Sequence, residues 1–159
     1  MDARINLTKL NAGAYKAMFG FGEYLAKSSV DKKLLNLISM RVSQINGCAY
    51  CLDMHWKDLK VEGETDQRMY SLDAWRETTY YSDRERAALA WAEATTNLHD
   101  GHVPDEVFEA TRKHFGEQEL ADLTLAVVAI NGWNRLNIAF RTPAGNYQPG
   151  QFEKMKKTA

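Results

Sequence analysis

Proline is nearly absent from most of this chain of 159 residues, because its three copies stand at positions 104, 143 and 149. Proline interrupts both helices and central strands, so the long stretch before position 104 is free of the strongest breaker of regular structure. No segment of that stretch shows the sustained alternation of apolar and polar residues that is typical of strands. The sequence therefore predicts an all-α protein.

Apolar spacing and capping residues divide the chain into candidate helices. Asp31 is expected to cap the second helix, and Ser82 with Glu85 has the spacing of a capping box. Gly116 is expected to end the helix that begins near Pro104. The predicted helices cover residues 7–27, 31–46, 48–60, 65–77, 82–94, 104–116 and 120–140, of which the last is the most apolar and is expected to be central. An irregular tail is expected from about residue 142.

Length and charge limit the class of protein. A chain of this size forms about one domain, so we expect residues 1–159 to be a single compact multi-helix domain. The formal net charge of −1 argues against a nucleic-acid partner. No apolar run approaches the ~20 residues that span a membrane, and the N-terminus lacks the apolar core of a secretory signal. We expect a reducing, cytoplasmic location.

The two cysteines of the chain, Cys48 and Cys51, are followed four residues later by His55. If this segment is helical, all three side chains share one face. Two thiols at this spacing can close a small disulfide, and an imidazole beside them can accept or return the proton that controls thiolate formation. Cys48 also falls where a helix begins, which stabilises a thiolate. The spacing alone leaves open which sulfur reacts first.

Two other interpretations of the cysteine pair stay open. Buried cysteines can simply pack as small apolar residues. Alternatively, the pair and His55 could supply three ligands of a zinc site, and a fourth would have to come from His99, His102 or His114. In a reducing compartment, two close cysteines are more often catalytic or metal-binding than a structural staple, and of these interpretations we favour the redox one.

Four segments of the sequence form a recognisable set. They are Ser-Gln-Ile-Asn-Gly-Cys-Ala-Tyr-Cys-Leu-Asp-Met-His at 43–55, Ala-Trp-Arg-Glu at 74–77, Arg-Glu-Arg-Ala-Ala-Leu-Ala-Trp at 84–91 and Ile-Asn-Gly-Trp-Asn-Arg-Leu at 130–136. Together they resemble the alkylhydroperoxidase D-like branch of the carboxymuconolactone decarboxylase superfamily. The resemblance extends to about Arg141. It implies an all-α fold, homo-oligomers (trimers or hexamers) and a thiol peroxidase or disulfide reductase that removes small organic hydroperoxides, an antioxidant activity.

The resemblance also implies roles for the three conspicuous residues. Cys51 corresponds to the peroxidatic thiol, Cys48 to the resolving thiol and His55 to the base of a proton relay. No bound cofactor or metal is implied. The redox-active group is the Cys48–Cys51 disulfide itself, which an external dithiol or a lipoyl-type reductant protein resets.

The sequence departs from the family pattern in the proton relay. The family usually has a Glu at the position of Asn36, and an amide cannot exchange a proton at neutral pH. Another carboxylate could serve, and Glu93, Glu77 and Asp53 are the candidates. Tyr50, between the cysteines, could form a pocket wall, donate a hydrogen bond to a peroxide oxygen, or only pack.

Two alternative functions remain open at this point. The chain could be a carboxymuconolactone decarboxylase-like enzyme that does not use its thiols, although the decarboxylases of the superfamily generally lack the cysteine pair. It could also be a non-enzymatic, zinc-stapled helical oligomer. The sequence also contains an internal repeat at an offset of 85 residues, in which Ile-Asn-Gly occurs at 45–47 and again at 130–132. This repeat is explained either by duplication of a helix pair or by chance.

Overall fold

The fold is described by a computed structural model, which covers residues 2–6, 12–98 and 102–152. Within those ranges all regular structure is helical, and the prediction of an all-α protein is confirmed. The elements are α1 (Ala12–Leu25), α2 (Lys32–Asn46), α3 (Ala49–Val61), α4 (Asp66–Tyr70), a 3-10 helix (Leu72–Glu77), α5 (Asp83–Thr96), α6 (Asp105–Arg112) and α7 (Glu117–Phe140).

Helices α2 and α7 form the centre of the bundle. Helix α2 packs against α3, α5 and α7, and α1 also packs against α7. The apolar face of α2 is fully buried at Leu37, Ile38 and Val42, and α7 contributes Leu123 and Val127 to the same core. Apolar residues at helical spacing on both helices thus fix the pair around which the remaining helices pack.

The ends of α2 follow from local sequence. At its start, the Asp31 carboxylate accepts a hydrogen bond from the Leu34 amide at 3.1 Å, as the capping prediction required. At its end, Gly47 adopts φ +68°, and the amides of Gly47 and Cys48 donate to the carbonyls of Gln44 and Ser43. This is a Schellman ending, in which glycine takes the left-handed conformation without a steric penalty.

Three predicted boundaries differ from the structure. The range 65–77 is divided into α4 and the 3-10 helix, because the chain turns at Ser71 and Ala74 leaves helical geometry. The prediction that Gly116 ends a helix was wrong. Helix α6 ends at Arg112, and Gly116 instead caps the start of α7 with an extended backbone. The first predicted helix ends at Leu25, and residues 7–11 of that prediction lie outside the described ranges.

The segment after α7 is irregular from residue 142 to residue 150. Hydrogen bonds nevertheless hold this segment against α3. The Lys57 ammonium donates to the carbonyls of Gly145 at 2.9 Å and Tyr147 at 3.1 Å. The Tyr147 hydroxyl donates to the Asp58 carboxylate at 2.8 Å. These bonds hold the tail beside the helix that carries the cysteines. None of the helices in the described ranges has the length and apolarity needed to cross a membrane.

Candidate active site

The turn between α2 and α3 positions both cysteines. Because α2 ends at Gly47, Cys48 becomes the N-cap of α3, and Cys51 lies in the first turn of that helix. Their Cα atoms are 5.4 Å apart and their sulfur atoms lie at disulfide distance. Both residues are buried, with 1% and 0% of their surfaces exposed. The spacing of the pair therefore brings the two sulfurs into direct contact, as the helical interpretation required.

The start of α3 favours negative charge on these sulfurs. The first amides of a helix have no partners within the helix, and the helix dipole adds partial positive charge there. The N-cap residue of α3, Cys48, makes no capping hydrogen bond through its side chain. A thiolate at Cys48 or Cys51 would meet this partial charge, which lowers the pKa of a thiol.

His55 lies one turn beyond Cys51 on α3 and is buried, with 8% of its surface exposed. Burial lowers the pKa of its imidazole from 6.5 to about 4, so the ring is neutral at pH 7. Nδ1 lies 3.3 Å from Oδ1 of Asn36. Nε2 has no hydrogen-bond partner in the part of the chain that the structure describes. The ring can therefore accept a proton.

Asn36 connects His55 to a carboxylate that the sequence interpretation missed. The Asn36 amide nitrogen lies 3.0 and 2.9 Å from the two carboxylate oxygens of Glu62. Glu62 caps the C-terminus of α3, and its carboxylate pairs with the Lys32 ammonium at 3.1 Å. The separation of 26 residues between Asn36 and Glu62 is bridged only when α2 packs on α3, so no local spacing reveals it.

Asn137 is a second residue that sequence reasoning missed. Its amide nitrogen, on α7, lies 3.5 Å from the Cys51 sulfur and also donates to the Trp133 carbonyl at 2.9 Å. One signal was present in the sequence. Asparagines recur every three residues at 131, 134 and 137 in the most apolar helix, where amides are costly unless they are bonded.

The other two asparagines of this row tie α7 to the end of α2. The Asn46 amide nitrogen donates to the side-chain oxygens of Asn131 at 3.0 Å and Asn134 at 2.9 Å. Asn134 is fully buried and donates to the Ser43 hydroxyl at 3.0 Å. These bonds fix the turn that presents Cys48, and so they position the cysteine pair relative to α7.

Three cavities approach this cluster. The Cys48 cavity, of about 440 Å³, lies between the start of α3 and the end of α7 and is lined by Cys48, Tyr50, Asn137, Arg141 and residues 142–144, among others. The aromatic cavity, of about 360 Å³, shares Tyr50 and Asn137 and is lined also by Tyr15, Trp133, Phe140 and Phe152. The His55 cavity, of about 680 Å³, is lined by Asn36, Ser39, Met54, His55, Ile130 and Trp133, among others.

Tyr50 separates two of these cavities. It is half-buried and forms a wall of both the Cys48 cavity and the aromatic cavity. Burial raises the pKa of its hydroxyl to about 12, so the hydroxyl keeps its proton at neutral pH. Of the three roles considered for Tyr50, the structure supports that of a pocket wall.

The carboxylates proposed for the proton relay make contacts elsewhere in the structure. Glu93 accepts hydrogen bonds from Arg41 at 2.7 Å and from the Trp75 indole at 2.9 Å, and it pairs with Arg76. Burial alone would raise the pKa of Glu93, but these hydrogen bonds lower it. Asp53 accepts from Lys57 and from the Gly145 amide, and Glu77 is exposed. Asn36 is the candidate that contacts His55.

Among the residues that the structure describes, no set of side chains is arranged to bind zinc. In the ranges 2–6, 12–98 and 102–152, no three or more His, Cys, Asp or Glu side chains are grouped so that they could hold a metal. His102 is exposed and His114 lies after α6. His99 lies outside the ranges that the structure describes.

Comparison with known proteins places this site in a family. The model of the carboxymuconolactone decarboxylase family matches residues 12–94, more than half of the chain. The uncharacterised protein YdfG of Bacillus subtilis is 40% identical over 146 residues, which are 92% of this chain and 99% of YdfG.

Solved structures give the same result for the fold. A protein of unknown function from Agrobacterium tumefaciens, described in connection with the antioxidant defence protein AhpD, has 37% identity and a TM-score of 0.88, and the match covers 92% of this chain and all of that one. The debrominase Bmp8 has 22% identity and a TM-score of 0.73, over 86% of this chain and 73% of Bmp8. At that identity the likeness concerns the fold alone.

Proposed function

Because the chain belongs to the carboxymuconolactone decarboxylase family, in its alkylhydroperoxidase D-like branch, we propose that it is a thiol-dependent peroxidase that reduces small organic hydroperoxides. One observation carries the proposal. Two buried sulfurs lie at disulfide distance at the start of α3, one turn from a buried, neutral imidazole. This arrangement has the nucleophile, the resolving thiol and the base that such a reaction needs.

The oxidising half-reaction begins at Cys51. His55 accepts the thiol proton, and the Cys51 thiolate attacks the terminal oxygen of the hydroperoxide, the one that carries the hydrogen. The O–O bond breaks, Cys51 becomes a sulfenic acid, and the alkoxide that leaves takes the proton from the imidazolium to form an alcohol. The Asn137 amide, 3.5 Å from the Cys51 sulfur, stabilises the thiolate before the attack.

Cys48 then resolves the sulfenic acid, and the reducing half-reaction follows. The Cys48 thiol attacks the sulfenic sulfur, water leaves, and the Cys48–Cys51 disulfide forms. Cys48 lines a cavity, so an external dithiol that enters this cavity meets the Cys48 sulfur first. Attack there expels Cys51 as the leaving thiolate, whose sulfur lies 3.5 Å from the Asn137 amide nitrogen. A second thiol of the reductant then releases Cys48 and completes the cycle.

The cavities favour an organic substrate. Asn137 lines both the Cys48 cavity and the aromatic cavity, so a ligand in either one is adjacent to the residue that contacts Cys51. Aromatic side chains form much of the aromatic cavity, including Tyr15, Trp133 and Phe152. An apolar alkyl or aryl group fits such walls better than hydrogen peroxide alone does.

The partners of the enzyme are part of the proposal. The reductant is a small dithiol or a lipoyl-type protein, and the location is a reducing, cytoplasmic one. The chain forms a homo-oligomer, a trimer or a hexamer, which would cover apolar side chains that are exposed in the single chain, such as Trp56, Val61 and Tyr70. Light scattering at micromolar concentration tests the oligomer, and a monomer would contradict it.

The test of the reaction is peroxide consumption with excess dithiol present. Wild type should consume cumene hydroperoxide catalytically, and Cys51→Ser should not. Cys48→Ser should form a Cys51 sulfenic acid that dimedone traps, which mass spectrometry detects as one adduct per chain. Ala110→Ser, an exposed substitution on α6, is the control and should behave as wild type.

The alternatives predict other results. A decarboxylase-like enzyme that does not use its thiols would retain its turnover of a lactone substrate in a Cys48→Ser/Cys51→Ser double variant, and it would show no thiol-dependent peroxide consumption. A zinc-stapled oligomer would contain stoichiometric metal by elemental analysis and would dissociate with a chelator. Undiminished peroxide consumption by Cys51→Ser would contradict the proposed mechanism directly.

A further inference from the structure

We infer that Glu62, acting through the amide of Asn36, fixes the tautomer of His55 and leaves Nε2 as the nitrogen that accepts a proton. Glu62, Asn36 and His55 form one chain of contacts across the interface between α2 and α3. The consequence for catalysis rests on the proposed function, whereas the tautomer itself does not.

The orientation of the Asn36 amide follows from its neighbour. The Glu62 carboxylate pairs with the Lys32 ammonium, and carboxylate oxygens only accept hydrogen bonds. Both Glu62 oxygens lie within 3.0 Å of Asn36 Nδ2, so the NH₂ group must face Glu62. The side-chain oxygen of Asn36 is thereby turned toward His55. A reversed amide would place an oxygen against the carboxylate.

The tautomer of His55 follows from the amide in turn. The Asn36 oxygen only accepts hydrogen bonds, and it lies 3.3 Å from His55 Nδ1, so Nδ1 must carry the hydrogen. A neutral imidazole has a single N–H, and burial keeps this ring neutral at pH 7. Nε2 therefore presents a free lone pair, and it is buried and without a partner among the described residues.

Glu62 is itself held in place. It is the C-cap residue of α3, the helix that carries His55, and its side chain is 17% exposed. The Lys32 ammonium at 3.1 Å supplies a counter-charge from the start of α2. The carboxylate, the amide and the imidazole thus connect the two helices that meet at the cysteine pair. The packing of these two helices therefore determines which hydrogen bond the imidazole ring makes.

This arrangement accounts for Asn36, which departs from the family pattern in the relay. A glutamate at position 36 could exchange a proton itself, whereas an asparagine can only orient its neighbour. In this chain the carboxylate belongs to Glu62, and the Asn36 amide lies between it and His55. Neither Glu62 nor Asn36 contacts the cysteine sulfurs in the structure, so both are positioning residues, and His55 alone moves the proton.

Nuclear magnetic resonance of the reduced full-length chain with ¹⁵N-labelled histidine tests the inference. The coupling pattern between ring nitrogens and ring protons identifies which nitrogen carries the hydrogen. Wild type should show His55 protonated at Nδ1. In Glu62→Gln the new amide can donate as well as accept, so Asn36 is free to reverse and a mixture of tautomers is expected. Asn36→Leu should also populate the Nε2–H form.

Kinetics supply a second readout. In the Cys48→Ser background, Glu62→Gln should slow alkylation of Cys51 at pH 7 by about 2- to 10-fold, the effect expected from the loss of one neutral hydrogen bond. Glu77→Gln, which changes an exposed glutamate, is the matched control and should alter neither the tautomer nor the rate. Thermal unfolding checks that each variant is folded.

The outcomes separate this inference from the proposed function. A wild-type His55 protonated at Nε2, or a tautomer that stays at Nδ1 in both Glu62→Gln and Asn36→Leu, would overturn the inference. A tautomer that shifts as expected in a protein that consumes no hydroperoxide would support the inference while the peroxidase proposal fails.

Discussion

The amide nitrogen of Asn137 lies 3.5 Å from the sulfur of Cys51, although the two residues are 86 positions apart in the sequence. The contact joins the last turns of α7 to the first turn of α3. A donor at this position stabilises a thiolate more than a thiol, because hydrogen bonds to charged groups are stronger than those to neutral ones. Asn137 should therefore lower the pKa of Cys51.

Replacement of Asn137 by alanine tests this relationship. In the Cys48→Ser background, Asn137→Ala should raise the apparent pKa of the Cys51 thiol by about one unit, the shift expected when a hydrogen bond to a charged group is lost. The measurement is the rate of iodoacetamide alkylation between pH 5 and 10. Asn146→Ala, an exposed amide in the tail, is the control. Identical pH profiles in the two variants would remove Asn137 from thiol activation.

Buried His55 should make the stability of the fold depend on pH. Its pKa is about 4 in the folded protein, below the usual 6.5, so between these values the unfolded chain binds more protons. Stability should be unaffected by His55 above about pH 7, fall as the pH decreases from 6.5 to 4, and change no further below that. The full loss is on the order of 3 kcal/mol.

Urea unfolding of wild type and His55→Gln at several pH values isolates this contribution. The carboxylates contribute to both proteins and cancel in the difference between them. The difference in the free energy of unfolding should change by the stated amount between pH 7 and pH 4, in favour of His55→Gln at the lower pH. Curves that stay parallel would mean that His55 is not neutral by burial.

Glu93 should matter for stability rather than for thiol chemistry. Its carboxylate accepts from Arg41, Arg76 and the Trp75 indole, and its side chain is 13% exposed. Glu93→Ala leaves the Trp75 indole N–H without its acceptor and removes one of the two carboxylates that pair with the largely buried Arg41, which keeps its contact with Asp73. The substitution should cost about 1–3 kcal/mol in urea unfolding. Glu77→Ala should change the stability by less than about 0.5 kcal/mol.

The same variant decides between two roles for Glu93. If Glu93 belongs to the stabilising cluster alone, the alkylation rate of Cys51 at pH 7 is the same in folded Glu93→Ala as in wild type. A slow rate with unchanged stability would instead make Glu93 a member of the proton relay, as the sequence interpretation considered.

Local sequence determined most helix ends but not all of them. The capping box of Ser82 and Glu85 was predicted from spacing, and the structure has both of its hydrogen bonds. Gly116 was wrongly placed at the end of a helix, because glycine is common both after the last turn of one helix and at the N-cap of the next. The presence of a glycine therefore does not show whether a helix ends or begins at that residue.

The repeated Ile-Asn-Gly illustrates the same limit. At Gly47 the tripeptide ends α2 with φ +68°, whereas Gly132 continues α7 without a break. A Cβ at Gly132 would lie 2.9 Å from the terminal carbon of Met18 on α1, so a larger residue there would require the Met18 side chain to shift. One glycine serves a turn and the other a close helix contact, and the difference arises from tertiary structure.

The residues of the candidate site also fall into two groups, those that the sequence predicted and those that it did not. Cys48, Cys51 and His55 were predicted because they lie within eight consecutive residues of one helix, where spacing alone places side chains on a common face. Glu62 and Asn137 were missed because they reach the site across helix interfaces, 26 residues from Asn36 and 86 from Cys51. Contacts of that kind depend on how helices pack, which a periodic pattern does not encode.

The tail should control access to Cys48. Residues 142–144 line the Cys48 cavity, and Tyr147 fastens the tail to α3 through Asp58 and stacks on Phe152 with ring centroids 5.7 Å apart. Tyr147 is 5% exposed. Tyr147→Phe, which removes only the hydrogen bond, should cost about 1 kcal/mol. Tyr147→Ala, which also removes the ring, should cost about 3 kcal/mol.

Alkylation of Cys48 in a reduced Cys51→Ser background measures the resulting exposure. If the tail covers the cavity, Tyr147→Ala should speed the reaction several-fold, and Tyr147→Phe should have a smaller effect, because local opening becomes easier as the anchoring contacts are removed. Tyr70→Phe, at a tyrosine with 73% exposure, should leave the rate unchanged. Equal rates in all four proteins would mean that the Cys48 cavity is open whether or not the tail is anchored, and that Tyr147 contributes to stability alone.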